Sequence, residues 1–186
     1  MKKEYIPFIQ QPCCCGPCSM QWVLYRRKLP LLSQEEIGKF FDLRVPAALN
    51  SIYKEKFSNK KTHFGSYGTE DFNEKSINAF FKKYKYPLKG QFFEADKISD
   101  SNKFLTENFK NDILVIFHRA GIKNQDKKTG HVAIVADFNT KTKEVTIGDP
   151  NRDFPKFWKV KLDELIGAMS PKFDGKQRSF IVISEK

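Results

Sequence analysis

Residues 13–24 read CCCGPCSMQWVL and hold every cysteine of the chain. A disulfide framework spreads its cysteines to join distant loops, so a cluster this tight indicates thiol chemistry or a metal instead. Apolar residues then recur at helical spacing, which predicts a helix over residues 16–27 that Pro30 ends. Cys15 therefore lies at a helix start, where the positive end of the helix dipole and unpaired amides favour a thiolate.

The rest of the chain predicts a single α+β domain spanning residues 1–186. Its 186 residues, 40% hydrophobic and 30% charged, suit one packed core. Residues 31–68 are irregular in pattern, a second helix follows a cap at Thr69, and Ser101 caps a third. The second half predicts a short helix at 162–169 and an antiparallel sheet with strands at 113–117, 131–138, 144–149 and 180–183.

Charge and hydropathy restrict the partners. The net charge is +11, but the lysines are scattered along the chain, which indicates a solvated basic surface and no nucleic-acid partner. A basic rim could still attract a small anionic substrate. No apolar run is long enough for a membrane span, and the start lacks the apolar segment of a signal peptide. We expect a cytoplasmic protein, or a periplasmic or secreted one if a leader was removed.

The sequence gives no sign of a cofactor or metal. Adjacent cysteines at 13–15 cannot easily all turn toward one tetrahedral ion, and no second C-x-x-C completes such a site. Cys15 and Cys18 do form a C-x-x-C pair like that of thiol-disulfide oxidoreductases, which keeps a redox function as one alternative. That fold needs a buried strand before the motif, and prolines interrupt the residues that precede it here.

The hairpin formed by the second and third predicted strands carries a histidine and an aspartate. A turn centred near Thr140 would place His131 directly opposite Asp149, and such pairs have Cβ atoms about 4.5–5.5 Å apart. The carboxylate could then hold the imidazole in one tautomer and leave its other nitrogen to act as a base. His63 and His118 have no evident partner in the sequence and are interpreted as structural.

Glutamines precede the cysteine cluster. The side-chain amide of Gln10 or Gln11 could reach back toward an oxyanion formed beside Cys15. A cysteine at a helix start, a glutamine before it, and a His–Asp pair on a distant hairpin resemble the arrangement of papain-like acyl-transfer enzymes. This arrangement predicts a catalytic triad of Cys15, His131 and Asp149.

Three stretches also resemble the phytochelatin synthases. Residues 15–24 are similar to the Cys-Gly-x-(small)-Ser-Leu-x-x-Val-Leu signature around the nucleophile of that family. Residues 117–131 are similar to the strand and loop that lead into its catalytic histidine. Residues 149–160, DPNRDFPKFWKV, are similar to its Asp-x-(Ala/Asn)-Arg-x-x-x-Pro-x-x-Trp-Val run. The resemblance implies a papain-like fold with the nucleophile's helix packed on an antiparallel sheet.

The resemblance also implies a substrate. Members cleave the Cys–Gly bond of glutathione through a γ-glutamylcysteinyl thioester, which water or another thiol peptide resolves. Arg152 matches a family arginine placed to bind the charged groups of the substrate. The family glutamine falls at Ile9 here, one and two residues before Gln10 and Gln11, and Val132-Ala133 replaces the Phe-Ser that follows the histidine.

A related group offers a different substrate. The double-glycine-leader peptidases, or C39-like peptidases, share the Cys-Gly step, the histidine and an Asp-Pro step. Asp149-Pro150 matches that last feature. The sequence therefore leaves open whether a small thiol peptide such as glutathione or a peptide or leader sequence is cleaved.

Overall fold

The computed structural model describes residues 3–63, 65–125, 129–173, 175 and 178–186. Its helices are α1 (Cys15–Arg26), α2 (Gln34–Phe40), α3 (Glu74–Lys83), α4 (Ser101–Asn108) and α5 (Leu162–Met169). Its strands are β1 (Leu43–Arg44), β2 (Gly68–Thr69), β3 (Leu88–Glu94), β4 (Asp112–His118), β5 (Gly130–Asn139), β6 (Glu144–Gly148), β7 (Phe157–Lys161) and β8 (Ser179–Glu185). Among these described residues, no helix is long and apolar enough to cross a membrane.

The main sheet has six strands in the order β3-β8-β4-β5-β6-β7, and every neighbouring pair is antiparallel. Strand β5 is apolar from Val132 to Ala136, because both faces of the sheet are covered by helices there. Val132, Ile134 and Ala136 face the core shared with α1 and α3, while Ala133 and Val135 face the core shared with α4 and α5. This alternation follows from the two-residue period of a strand.

Helix α1 begins after a tight turn and ends in a Schellman motif. The N–H of Cys14 donates to the carbonyl of Gln11, and Cys13 takes the positive φ of 63° that this turn requires. At the other end Lys28 adopts a φ of 55°. The N–H of Lys28 donates to the carbonyl of Tyr25, and the N–H of Leu29 donates to the carbonyl of Leu24. The predicted helix is confirmed, and it stops before Pro30 is reached.

The predicted irregular stretch 31–68 is wrong in part. Ser33 and Glu36 form a capping box, in which the Ser33 side chain accepts from the Glu36 amide and Glu36 accepts from that of Ser33, so α2 begins there. The cap of α3 is Asn73, because Thr69 is taken up by the short strand β2. Helix α4 does begin at Ser101, but Asp100 is its cap.

Strands β3 and β7 also lie outside the predictions. Strand β7 follows the DPNRDFP turn and pairs with β6, which brings Trp158 opposite Ile147. The predicted α+β class, with helices packed on an antiparallel sheet, is confirmed. Strand β7 forms an edge of that sheet next to β6, which ends just before Asp149.

Candidate active site

The structure brings Cys15, His131 and Asp149 together. Cys15 is the first residue of α1 and is half-buried. His131 is the second residue of β5, and Asp149 directly follows β6. His131 Nε2 lies 2.8 Å from Asp149 Oδ1, and the His131 ring also interacts electrostatically with the Cys15 thiol. Since Nε2 faces Asp149, Nδ1 is the nitrogen left for Cys15.

Two contacts from α1 set its position on the sheet. One turn after Cys15, the Ser19 hydroxyl donates to the carbonyl of Val132, the residue after His131. One turn further, Trp22 packs over Gly148, where an added Cβ would lie 2.7 Å from the indole. Gly148 immediately precedes Asp149, so these contacts place the thiol, the imidazole and the carboxylate relative to one another.

The hairpin register differs from the prediction, yet His131 and Asp149 still meet. A bulge between Val135 and Asp137 shifts the pairing, so that Ile134 lies opposite Gly148 and the ladder ends there. Asp149 is therefore two positions out of register with His131 and not directly across from it. An offset of two keeps both side chains on one face, where diagonal neighbours remain within reach of an imidazole.

The charges of Cys15 and His131 support each other. Burial by itself raises the pKa of the Cys15 thiol, but the hydrogen bond and charge of His131, with the backbone of Val132 and Gly16, outweigh it and lower the pKa below the ordinary value. Burial likewise opposes an imidazolium at His131, but the hydrogen bond and charge of Asp149, then Cys15, raise its pKa. These directions favour a thiolate–imidazolium pair.

Asp149 is completely buried and surrounded by donors. Burial opposes its charge, but His131, Arg119 and the Asn151 amide together hold the pKa of its carboxyl well below the usual range. Arg119 donates from one nitrogen to both carboxylate oxygens, at 3.0 and 2.9 Å, and Trp158 Nε1 donates to Oδ2 at 3.1 Å. The carboxylate is therefore fixed in orientation as well as in charge.

The other cysteines have the opposite electrostatics. Burial, followed by the nearby charge of Cys15, raises the pKa of Cys13 to about 11. Burial raises the pKa of Cys18 to about 12, and it raises that of Cys14, a fully buried residue beside Tyr53, further still. Among the four, Cys15 is the cysteine whose surroundings lower the thiol pKa and so favour the thiolate.

Gln10 and Gln11 lie beside the start of α1. The N–H of Gln10 donates to the carbonyl of Pro150 at 2.9 Å, which ties this segment to the residue after Asp149. The N–H of Gln11 donates to the Gln34 side chain at 2.7 Å. The side-chain oxygens of both are buried without a partner among the described residues. No hydrogen bond to Cys15 is formed by either side chain within that part of the chain.

The structure places Arg152 in a turn and the other two histidines against neighbours of their own. Arg152 is exposed in the turn between β6 and β7, and no ion pair forms to it among the described residues. His118 is buried and accepts a hydrogen bond from the Ala120 amide, while His63 is exposed and pairs with Glu70. Both contacts are consistent with structural histidines.

Arg119 and Trp158 are site residues that the sequence did not single out. Arg119 follows β4 directly, and Phe117 near the end of that strand pairs with His131. The register of β4 and β5 would therefore have placed Arg119 near His131 and its partner Asp149. Trp158 lies in the DPNRDFPKFWKV run quoted above, but its contact with Asp149 depends on β7, whose alternation of apolar and lysine residues is short.

Comparison with known proteins places the fold. No family model and no curated protein matches the chain. Solved structures do. A C39-like peptidase from Bacillus anthracis superposes with a TM-score of 0.59 at 13% identity, with 99% of each chain covered. The peptidase domain of Streptococcus ComA, a bifunctional ABC transporter of a quorum-sensing pathway, gives 0.55 at 15% identity and 98% of each chain.

A third structure is the double-glycine-motif protease of an AMS/PCAT transporter in complex with its leader peptide. Its TM-score is 0.50 at 14% identity, with 100% of this chain and 94% of that one covered. At such identities the likeness establishes the fold alone. The chain has the papain-like fold of C39 peptidase domains, which confirms the predicted fold. In fold, the similar structures are C39-like peptidase domains, the group of the alternative above, and they give no support to the resemblance to phytochelatin synthases.

Proposed function

We propose that this chain is a cysteine peptidase that cleaves a peptide bond through a thioester on Cys15. The observation that carries the proposal is the series from Cys15 through His131 to Asp149. His131 interacts electrostatically with the thiol and is hydrogen-bonded to Asp149, and the thiol lies at a helix start with its pKa lowered. The papain-like fold, shared with peptidase domains over nearly the whole chain, supports it.

The proposed reaction has two halves. The Cys15 thiolate attacks the carbonyl carbon of the scissile bond, and the His131 imidazolium gives its proton to the leaving amine as the C–N bond breaks. Water then attacks the thioester while His131 accepts a proton from it, and the acid product leaves as the thiolate is restored. Asp149 accepts the His131 Nε2–H throughout and keeps Nδ1 directed at the reacting atoms.

The negative oxygen formed in each half needs donors. Cys15 and Gly16 occupy the first turn of α1, where amides have no acceptor within the helix. Pro17 falls in the same turn. Proline has no N–H, but an N–H at this position would have no acceptor within the helix, so its absence costs no hydrogen bond. We assign the Cys15 amide to the oxyanion, together with the side-chain amide of Gln10 or Gln11, whose segment is bonded to Pro150.

The proposed substrate is a peptide chain, as the C39-like alternative has it. The similar structures favour this over glutathione, because they are peptidase domains and one of them holds a leader peptide. Arg152, which the resemblance to phytochelatin synthases placed on substrate carboxylates, lies exposed in a turn. No observation of the structure independently favours glutathione.

A peptide library with internal quenching, assayed beside glutathione, tests the proposal. We expect cleavage of peptides by the wild type and by Cys14→Ala, whose thiol is adjacent but buried, and none by Cys15→Ala. Glycine release from glutathione that depends on Cys15 would instead restore the glutathione prediction. Peptide cleavage that survives in Cys15→Ala but not in Cys14→Ala would move the nucleophile. Failure to cleave either substrate, with an unreactive Cys15 thiol, would overturn the enzyme interpretation.

A further inference from the structure

The guanidinium of Arg119 is buried behind the candidate triad. Only 1% of the residue is exposed, and it lies in the helical turn Arg119–Gly121 that follows β4. One terminal nitrogen donates to both oxygens of Asp149, and the other donates to Gln125 Oε1 at 2.7 Å. The ring of Phe154 stacks against the guanidinium, with its centroid 4.0 Å from the central carbon.

This arrangement is more specific than stability requires. A buried ion pair gains little over well-packed apolar groups, because desolvation offsets most of the attraction between the charges. Here every contact fixes the plane of the guanidinium: Gln125 holds one side, Phe154 the face and Asp149 the other side. The held guanidinium in turn fixes the plane of the carboxylate that accepts from His131. Within the described ranges, the remaining donors to Asp149 are Trp158 and the Asn151 amide, and these neutral groups cannot supply a compensating charge.

We propose that Arg119 is a positioning residue, which orients Asp149 toward His131 and balances the carboxylate charge so that the Cys15–His131 pair forms at neutral pH. The inference rests on the proposed function of this site. With Arg119 included, the four groups alternate in sign from thiolate to imidazolium to carboxylate to guanidinium. The buried cluster then carries no net charge.

Two substitutions separate charge from orientation. Arg119→Gln removes the positive charge and keeps amide donors, whereas Arg119→Lys keeps the charge and loses the planar fork. The charged or titratable groups that face Asp149 are Arg119 and His131, with Cys15 behind the latter and Lys156 bonded to the Asp149 amide through its backbone carbonyl. Removing a cation from this set raises the pKa of both remaining titratable members, Cys15 and His131.

The test measures the rate of Cys15 alkylation by iodoacetamide against pH, located by mass spectrometry, and in parallel kcat and KM for peptide cleavage. In Arg119→Gln we expect the midpoint of thiolate formation to move up by roughly one pH unit. In Arg119→Lys the midpoint should stay at the wild-type value, while kcat falls by roughly 10-fold with KM unchanged. Lys123→Gln, an exposed charge removal in the same segment, should match the wild type.

An unmoved midpoint in Arg119→Gln would overturn the inference, as would loss of the folded state in both variants, since either result leaves Arg119 a purely structural residue. Folding is checked for each variant by thermal melting. The alkylation readout needs no substrate, so it is independent of the peptidase proposal. A shifted midpoint without peptide cleavage would sink the proposed function and keep the role of Arg119. Peptide cleavage with an unmoved midpoint in Arg119→Gln would support the proposed function and overturn the role of Arg119.

Discussion

Two completely buried aspartates, Asp112 and Asp149, are bound by arginines at two ends of the same sheet. Asp112, at the start of β4, accepts from Tyr5 and from Arg26 and Arg27 at the end of α1, with distances of 2.5–2.7 Å. Burial raises the carboxyl pKa of each aspartate, but the donors around each one outweigh burial and lower it. Burial and an arginine partner therefore do not by themselves identify a catalytic aspartate.

The difference lies in the remaining donor. The partners of Asp112 are guanidinium groups and a phenol, whose protons stay in place at neutral pH. One partner of Asp149 is the imidazole of His131, which can exchange a proton near neutral pH and contacts the Cys15 thiol. The cluster at Asp112 ties the end of α1 to the sheet, and the cluster at Asp149 lies behind the start of the same helix. The role of each carboxylate is therefore decided by the group that it orients.

The largest loss of activity is expected from removing the Cys15 thiol, which the Asp149 cluster serves and the Asp112 cluster does not. Cys15→Ala should reduce peptide cleavage by at least about 10⁴-fold, because no other nucleophile occupies its place. Thermal stability should change little, since the residue is half-buried and its helix is held by Ser19 and Trp22. The assay is kcat/KM beside a melting curve. Residual activity within 10-fold of the wild type would break the assignment of this end of α1 as the active site.

Matched substitutions at the aspartates should have opposite consequences. Asp149→Asn should lower kcat on the order of 10²-fold, because the amide can present its N–H to His131 and favour the wrong tautomer. Asp112→Asn should leave kcat per folded molecule unchanged and lower the free energy of unfolding by roughly 3 kcal/mol, since it leaves Arg26 and Arg27 without their carboxylate. Denaturant unfolding and kinetics on both variants measure this. Equal losses of activity would erase the proposed distinction.

Acid should act on the structural cluster in a defined direction. The folded-state pKa of Asp112 lies below its ordinary value of 3.8, because its hydrogen bonds and charges outweigh burial. Its contribution to stability is then fully present above that ordinary value and is lost as the pH falls through the lower folded-state pKa. The stability difference between the wild type and Asp112→Asn should therefore be constant between pH 7 and 5 and shrink in stronger acid. A difference that grew with acid would contradict this linkage.

The sequence carried the parts of the site whose signals are local. The cluster at Cys15 precedes a clear helical pattern, and His131 and Asp149 flank a short hairpin, so their proximity survived a bulge that changed the register. The α+β class followed from the separation of helical and strand patterns along the chain. These predictions needed only the periods of helix and strand and the length of one turn.

The parts that the sequence missed depend on distant contacts or weak local patterns. Arg119, at the end of β4, reaches Asp149, at the end of β6, across the intervening strand β5, and it stacks on Phe154 in another turn. Strand β7 has five residues, of which Val160 alone is fully buried, so its pattern is too brief to read. The capping box at Ser33 is a local signal, Ser-x-x-Glu, within a stretch that is predicted to be irregular.

The most direct test of the central claim is competition among the four cysteines. Wild-type protein is treated with limiting iodoacetamide at pH 6, and the modified residues are located by mass spectrometry. We expect Cys15 to react first and nearly alone, because His131 stabilises its thiolate while burial raises the pKa of Cys13 to about 11 and that of Cys18 to about 12. Preferential modification of Cys13 would contradict the assignment of Cys15 as the activated nucleophile. Equally slow reaction of Cys13 and Cys15 would contradict it too.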